Sequence, residues 1–176
     1  MLDFNSLIDY RFNEDVYRLT EIVRFNNWFK IKQESVAEHS FFVVLFVKMF
    51  CDKLNVSDEI KLEALDLAVI HDVPELTTND ITFDAKKAMP KVEQAIEEYE
   101  RKFIKERFPE SYDSFYNEDS LAKMIVKAAD ILSVVQWAVN EINLGNSTVE
   151  NILYSARAAF YQSLKKIERK VENADK

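Results

Sequence analysis

The chain contains very little glycine, cysteine, proline and histidine for its length. Its 176 residues include one Gly, one Cys, three Pro and two His. A single glycine, Gly145, excludes a dinucleotide-binding fingerprint and a phosphate-binding loop, because both need several glycines close together. It also disfavours tight β-hairpins, whose turns usually contain Gly or Asn-Gly. The scarcity of glycine therefore predicts a largely helical protein without a glycine-rich loop.

The single cysteine and the absence of long apolar runs indicate the cellular setting. One cysteine, Cys51, excludes a disulfide framework and a zinc site built on cysteine pairs. The opening residues carry acids early and lack the apolar core of a signal peptide. The longest apolar run, residues 41–47, is too short to cross a bilayer. We therefore expect a cytoplasmic protein with a buried, inert thiol and no membrane partner.

The charge balance is acidic, with a net charge of −8 at pH 7. A phosphate backbone requires a basic surface, so no nucleic-acid partner is expected. An anionic small molecule would instead need a local source of positive charge, such as a metal ion or a few lysines. The composition, 48% hydrophobic and 31% charged, is that of a folded globular domain.

Apolar residues recur at three- and four-residue spacing through most of the chain, as on helices with one buried face. This pattern predicts a single all-α domain, residues 1–176, built as a bundle of about six helices. Two capping boxes, Ser35 to Glu38 and Ser147 to Glu150, predict helix starts, and Gly145 predicts a helix end. The other predicted helices lie near residues 16–23, 57–71, 84–103 and 120–144.

The apolar positions also predict which helix faces are buried. The helix that starts at Ser35 is apolar nearly all round, so it should be central or lie in a subunit contact. Pro74 should interrupt the chain just after the next helix. The predicted apolar stripe of the helix that ends before Pro74 is Leu62, Leu65, Ala68 and Val69. The stripe of the following charged helix, from about Asp84, is Met89, Val92, Ile96, Tyr99 and Phe103.

Four potential metal ligands fall on three of the predicted helices. His39 lies one turn into its helix, His71 and Asp72 end the next one, and Asp130 lies within an apolar helix. Such a mixed set of nitrogen and oxygen donors suits Mn²⁺, Fe²⁺, Co²⁺, Ni²⁺ or Zn²⁺ better than Ca²⁺. Spacing alone leaves a second interpretation open, in which the histidines are hydrogen-bonded core residues and the aspartates are solvated or capping.

Glu75 lies three residues after Asp72, where a continuing helix would turn it towards the same side. A carboxylate there could orient or deprotonate a water molecule. A divalent ion beside it would polarise a phosphoryl group and lower the pKa of its water.

The motifs of the chain resemble those of the HD-domain metal-dependent phosphohydrolases. The resemblance covers about residues 10–165 and is strongest to the bacterial 5′-deoxynucleotidase branch. Phage dATP triphosphohydrolases are similar in size and share the framework. The motifs that carry it are "RF" at 24–25, "ESVAEHS" at 34–40, "HDVPEL" at 71–76, "ND" at 79–80, "VKAADIL" at 126–132 and "NEINLGN" at 140–146.

The resemblance implies a cofactor and a set of site residues. One divalent metal per subunit (Mn, Co, Fe, Ni or Zn, with Mg as a further candidate) would be held by His39, His71, Asp72 and Asp130. Glu75 would be the catalytic carboxylate. The residues implied to bind the deoxynucleotide are Arg24 and Lys86 at the phosphate, Asp80 at the 3′-hydroxyl, Phe25 beside the sugar, and Lys87 where the substrate carries more phosphates. Phe25 departs from the family, which commonly has tryptophan there, so the exclusion of ribose is expected from bulk alone.

Plainer interpretations of the substrate residues stay open from the sequence. Arg24 could be a surface residue at a helix end, Asp80 a turn former, and Lys86 and Lys87 part of a solvated face. Three functions follow: a 5′-nucleotidase acting on deoxynucleoside monophosphates, a deoxynucleoside triphosphate triphosphohydrolase, or a non-catalytic binding domain with a structural metal. We expect the first, and a homo-oligomer of at least two subunits.

Overall fold

The computed structural model describes residues 15–174 of the chain. The opening residues, on which the absence of a signal peptide was predicted, lie largely outside this range. Within it the secondary structure is helical, apart from an isolated antiparallel bridge between Val23 and Ser35. The α-helices are α1 Val36–Leu54, α2 Asp58–Ile70, α3 Glu75–Thr78, α4 Phe83–Ala88, α5 Pro90–Arg107, α6 Tyr112–Tyr116, α7 Leu121–Asn143 and α8 Glu150–Ala174. Short 3₁₀-helices span Tyr17–Thr20, Pro109–Ser111 and Ser147–Val149.

Helix α1 begins and ends as the sequence predicts. Ser35 Oγ accepts from the Glu38 amide at 3.2 Å, and Glu38 Oε2 accepts from the Ser35 amide at 2.8 Å. These reciprocal bonds satisfy two amides that the first turn would otherwise leave open. Asn55, in the left-handed region with φ 49°, ends the helix. The predicted capping box is confirmed, and it fixes the turn on which His39 lies.

Helix α7 is central to the bundle. It packs against α1, α2 and α8, and Ala128, Ala129 and Ile125 on it are fully buried. The facing stripe of α1 includes Val43 and Val47, which are also fully buried. Each such aliphatic side chain stabilises the fold by about 1.5–3 kcal/mol relative to an exposed one. The ends of α1, α2 and α7 that carry potential ligands are thereby held against one another.

The opposite side of α1 is apolar but is not covered by residues 15–174. Phe41, Phe42, Leu45 and Met49 are all exposed. Cys51, by contrast, is buried on the core side, as predicted. The helix is therefore central on one face and unpartnered on the other within the described part of the chain.

The predicted core face of α2 is partly wrong. Leu62 and Val69 are 70% and 58% exposed, whereas Ala64 and Leu67 are buried. The packing surface is rotated towards the small side chains, Ala64 and Ala68, because these allow α2 to lie close to α7. Only Ala68 of the predicted stripe is fully buried.

The predicted long helix from Asp84 is interrupted. Met89 leaves the helical region, with φ −130° and ψ 71°, and Pro90 begins a new helix, α5. A residue before proline disfavours helical backbone because of the clash with the proline ring. Met89 and Val92 are exposed, while Ile96 and Ile104 are buried. The apolar stripe therefore contributes to the core only from Ile96 onwards.

Two further predicted boundaries differ from the structure. Ser147 does not cap a helix; the Asn146 side chain accepts from the Thr148 amide, and Ser147–Val149 is a 3₁₀ turn before α8. The first predicted helix is, from Tyr17 to Thr20, a 3₁₀-helix. Gly145, with φ 102°, does end α7 in a left-handed conformation as predicted.

In the described part of the chain, no helix combines the length and apolarity that crossing a membrane requires.

Candidate metal and substrate site

His39 lies at the centre of the candidate site and is fully buried. Its Nε2 atom is 3.3 Å from His71 Nε2, 3.2 Å from Asp72 Oδ2 and 3.3 Å from Asp130 Oδ1. The structure therefore brings together all four predicted metal ligands, from α1, the end of α2, and the middle of α7.

The backbone orients His71. Its Nδ1 atom lies 2.7 Å from the Ala68 carbonyl oxygen, so Nδ1–H donates and, in the neutral ring, Nε2 carries a lone pair. Burial lowers the pKa of His71, but the negative charges of Asp72 and Asp130 outweigh it and raise the pKa to about 8 in the metal-free protein. The basic nitrogen thus points at the carboxylates, as a metal ligand requires.

The arrangement fits a divalent ion. His39 Nε2, His71 Nε2 and Asp72 Oδ2 are 3.2 to 3.3 Å apart. Ligand atoms about 2.1 Å from one ion are separated by roughly 3.0 to 3.4 Å in octahedral or tetrahedral geometry. His39, His71 and Asp72 form a group that could hold a metal, while Asp130 contacts His39 from the side and is not one of that group. The two imidazoles and one carboxylate of this group are donors that suit a transition metal.

The second nitrogen of His39 has two neighbours with opposite requirements. Ser133 Oγ lies 2.9 Å from Nδ1 and itself donates to the Asp130 carbonyl at 2.7 Å. It is therefore placed to accept from Nδ1–H, which leaves Nε2 ready for a metal. Arg24 also contacts Nδ1, and a guanidinium can only donate. An ion at Nε2 is compatible with the Ser133 contact and requires Arg24 to turn away.

Arg24 is a buried residue and not a surface one. Its guanidinium lies 3.2 Å from Glu34. Burial lowers the pKa of Arg24, but the charges of Asp130, Asp72, Glu34 and Asp80 outweigh it and raise the pKa. The structure thus places a permanent cation among the acids of the site, which excludes the interpretation of Arg24 as a solvated helix end.

Glu75 begins α3, immediately beyond the turn that Pro74 produces. Its Oε2 atom is buried and has no hydrogen-bond partner within residues 15–174. Burial, reinforced by the charges of Asp72 and Asp80, raises the pKa of Glu75 to about 9 in the metal-free protein. A buried carboxylate without a partner costs free energy, so its retention beside the ligands points to a chemical role.

Asp80 and Phe25 are joined by a hydrogen bond across the site. Asp80 Oδ2 accepts from the Phe25 amide at 2.7 Å, so Asp80 is more than a turn former. Phe25 has φ 53°, which is uncommon for a bulky residue, and its ring stacks on Trp137 at 3.8 Å between centroids. Arg24 lies 5.0 Å from the same ring. The predicted phosphate, sugar and 3′-hydroxyl residues therefore lie in one continuous group.

The two predicted lysines differ in their surroundings. Lys86 is half-buried, with Nζ 3.8 Å from Glu100 Oε1, and its charge acts on Glu75. Lys87 is exposed. Lys86 therefore belongs to the edge of the site, whereas Lys87 has the surroundings of a solvated residue.

Sequence reasoning missed several residues that contact and orient the predicted site residues. Ser133, Trp137 and Glu141 follow Asp130 on α7 at spacings of three or four residues, and all three are buried. A helical stripe that passes through a metal ligand and contains Ser, Trp and Glu is a signal that could have revealed them. Glu34, the partner of Arg24, lies within the "ESVAEHS" motif but received no role.

Comparison with known proteins supports the same fold. A family model described as 5′-deoxynucleotidase YfbR-like matches residues 11–173. No curated protein matches the chain. A conserved hypothetical protein from Pyrococcus furiosus is 26% identical with a TM-score of 0.72, over 93% of this chain and 98% of that one.

Two more distant solved structures share the fold. An HD-domain phosphohydrolase from Listeria innocua is 23% identical, with a TM-score of 0.70 over 93% of this chain and 83% of that one. The cyanophage S-2L HD phosphohydrolase bound to dA and one catalytic Zn²⁺ ion is 16% identical, with a TM-score of 0.60 over 91% and 96% of the two chains. The predicted all-α HD-domain bundle is confirmed.

Proposed function

Because the chain belongs to the 5′-deoxynucleotidase YfbR-like family, we propose that it is a metal-dependent 5′-nucleotidase acting on 2′-deoxynucleoside monophosphates. The family and the shared fold support a deoxynucleotide phosphohydrolase. The observation that carries the proposal is the meeting of His39, His71 and Asp72 beside Glu75, whose buried oxygen has no partner among the described residues.

Each site residue has a role that its surroundings support. His39, His71, Asp72 and Asp130 would hold a divalent ion, which when bound supplies a Lewis acid for the phosphoryl group. Glu75 takes a proton from the attacking water, whose oxygen forms a bond to phosphorus. The bond from phosphorus to O5′ then breaks, O5′ takes up a proton from solvent, Glu75 releases the proton it took, and the deoxynucleoside and phosphate leave. Glu75 is placed for this role because its Oε2 atom is buried and has no hydrogen-bond partner among the described residues.

The remaining residues would bind the substrate. Arg24 turns from His39 towards the phosphate and offers paired donors to its oxygens. Asp80 uses Oδ2 for the Phe25 amide, so Oδ1 is the atom for the 3′-hydroxyl. The ring of Phe25, held by Trp137, excludes a 2′-hydroxyl by bulk.

Charges around Lys86 favour a monophosphate over a triphosphate. Glu100 lies 3.8 Å from Lys86, so a carboxylate already faces this cation. Asp72 and Asp80 add negative charge nearby. A triphosphate would need more uncompensated positive charge beyond the metal than this edge provides.

A second candidate is hydrolysis of a deoxynucleoside triphosphate with release of triphosphate. The fold is shared with the cyanophage phosphohydrolase bound to dA, and Lys87 and Lys91 are exposed cations on α4 and α5 near this edge. A non-catalytic domain with a structural metal is less consistent with the site, because such a domain has no use for the buried Glu75.

Product analysis tests the proposal. The metal-loaded protein is incubated separately with dNMPs, NMPs and dNTPs, and the released anion is identified. We expect orthophosphate from dNMPs and little product from NMPs. Tripolyphosphate from a dNTP, with no monophosphate turnover, would favour the second candidate. No product from any of them, with metal bound, would contradict an enzymatic role for these substrates.

The exposed side of α1 supports the further proposal that the protein is a homo-oligomer. Phe41, Phe42, Leu45 and Met49 form a continuous apolar stripe of a kind that usually marks a contact surface. Light scattering coupled to gel filtration should give at least twice the chain mass of 20.6 kDa. A monomer at micromolar concentration would contradict this proposal without affecting the catalytic one.

A further inference from the structure

The segment between Arg24 and Ser35, here the 25–34 loop, is closed at its base by backbone bonds. The Arg24 amide donates to the Glu34 carbonyl at 2.9 Å, and the Val36 amide donates to the Ile22 carbonyl at 2.9 Å. These two bonds therefore fix the backbone position of Arg24 at the start of the loop. They do not set the path of the ten residues between, whose first member is Phe25.

Two carboxylates bind backbone amides of the loop, one near its start and one near its end. The Asn26 and Asn27 side chains add bonds to the Asp80 carbonyl and to Thr82 near its start. On one side, Asp80 accepts from the Phe25 amide. On the other, Glu141 of α7 accepts from the Ile31 amide at 2.7 Å through Oε2 and from the Lys32 amide at 2.9 Å through Oε1. Glu141 is 1% exposed, so its carboxylate is bound by protein donors and not by solvent.

Asn146 also binds Glu141, and these two side chains together form a clamp on the loop. The Asn146 side chain, 3% exposed, donates to Glu141 Oε2 at 2.8 Å and to the Phe29 carbonyl at 3.1 Å. The left-handed turn at Gly145 brings it there, and the Asn146 amide donates to the Glu141 carbonyl at 2.9 Å. The end of α7 and the loop are thereby joined by a buried, fully hydrogen-bonded group.

The ionised form of Glu141 is the one that this group stabilises. Burial raises the pKa of a carboxyl group, but the hydrogen bonds from Asn146, Ile31 and Lys32 outweigh it and lower the pKa of Glu141. Only an ionised carboxylate accepts from all of these donors at once, because a protonated acid or an amide presents a donor in place of one acceptor.

Helix α7 connects this clamp to the site. Asp130, Ser133, Trp137 and Glu141 follow one another at three- or four-residue spacing. Asp130 contacts His39, and Ser133 orients the His39 ring. Trp137 stacks on Phe25, and Glu141 binds the loop. We infer that Glu141 is a positioning residue for substrate recognition. It fixes the 25–34 loop so that Arg24 and Phe25 stand in register with the metal ligands. This role rests on the proposed function.

The test compares the full-length, metal-loaded wild type with Glu141→Gln. Loss of a bond to a charged acceptor should raise KM for a dNMP by about 10-fold or more. The turnover number should stay within about 3-fold, because the ligands and Glu75 are untouched. The preference for deoxyribose over ribose should fall, since Phe25 is less firmly placed. Glu150→Gln is the matched control, because Glu150 is exposed at the nearby start of α8 and should leave all values unchanged.

Hydrogen–deuterium exchange separates this inference from the proposed function, because it needs no turnover. Amides of the 25–34 loop should exchange faster in Glu141→Gln, while those of α1 and α7 and the metal content stay as in the wild type. Asn146→Ala removes the bonds to Phe29, Glu141 and the Thr148 amide but keeps the two amide bonds to the Glu141 carboxylate. It should change loop exchange and KM in the same direction and less. It provides the test if Glu141→Gln fails to fold.

The outcomes are distinct. Unchanged loop exchange in both variants would overturn the inference, and so would a lower melting temperature with unchanged kinetics and sugar preference. Equal losses in kcat and kcat/KM with unchanged KM would also overturn it. If the wild type hydrolyses no deoxynucleotide, the proposed function fails, and loop exchange still decides whether Glu141 positions the loop.

Discussion

At the scale of single residues, the site is built from side chains whose burial is costly unless they are used. His39 is fully buried, yet both of its ring nitrogens face polar groups. Glu75 Oε2 and Trp137 Nε1 differ, since both are buried and have no hydrogen-bond partner in the described chain. Functional residues often break the rule that buried polar groups are paired, and they do so at the expense of stability.

Glu75→Gln should therefore remove activity and stabilise the metal-free protein. The pKa of Glu75 is raised from 4.5 to about 9, so the folded protein holds a proton that the unfolded chain releases. Stability is then greatest at low pH and is lost as pH rises towards the folded pKa. With chelator present, the variant should melt higher than the wild type at about pH 8 and nearly equally at about pH 5. A variant that melts lower at both values would contradict the raised pKa.

Ser133→Ala should weaken metal binding without removing a ligand. Ser133 Oγ is placed to accept from Nδ1–H of His39 and so to keep Nε2 free for the ion. Loss of such an outer contact typically costs roughly 10- to 100-fold in metal affinity. Competition with a chromogenic chelator measures the change, and Ser155→Ala on the exposed side of α8 is the control. Equal affinities for wild type and variant would assign the orientation of His39 to another group.

At the scale of helices, some predicted starts and ends are confirmed, whereas the predicted buried face of α2 is confirmed only in part. The Ser35 capping box, the Pro74 interruption and the left-handed Gly145 are set by neighbouring residues, and all are confirmed. The face of α2 is set by how closely α7 can approach, which depends on residues far apart in sequence. Leu62 is therefore exposed although its spacing is that of a core residue.

The same distinction explains what could be predicted of the site. His39, His71, Asp72 and Asp130 were predictable because their donor chemistry is visible in the residue types. The support given by Glu141 was not, because its partners are backbone amides at positions 31 and 32, which have no side-chain signature. Asn146, and not the predicted Ser147, caps the turn before α8, because the Asn146 side chain lies within reach of the Thr148 amide.

Gly145→Ala should destabilise the protein by about 1 kcal/mol or more through backbone strain. Gly145 has φ 102°, and a Cβ there would meet no atom within 4 Å, so the cost comes from conformation and not from a clash. For a chain of this size, about 1 kcal/mol lowers the melting temperature by roughly 2–4 °C. Asn tolerates left-handed backbone better, so Gly145→Asn should cost less. Equal melting of wild type and Gly145→Ala would show that the turn adapts.

At the scale of the whole molecule, the acids of the site and the net charge of −8 make the metal-free state self-repelling. Asp72, Asp130 and Asp80 lie close together, with Arg24 as a buried cation among them. A divalent ion would offset this repulsion and also join α1, α2 and α7.

Metal removal should therefore lower the melting temperature of the wild type. A ligand that binds only the folded state at about 100 times its Kd stabilises by about 2.7 kcal/mol. Thermal melting with and without chelator, followed by addition of Mn²⁺ or Zn²⁺, measures the effect. His71→Ala removes a member of the ligand group and should show almost no response to metal. A wild type whose melting is indifferent to chelator would contradict the metal site.

Helix α7 has one more consequence, which concerns distance. From Asp130 to Glu141 it rises about 16 Å, at about 1.5 Å per residue. The distance between Asp130 and the loop held by Glu141 is thus fixed by the number of residues between them on the helix. Side-chain changes along α7 leave that length intact, whereas one inserted residue would rotate everything beyond it by about 100°. The spacing of the site should therefore tolerate substitution far better than any change in helix length.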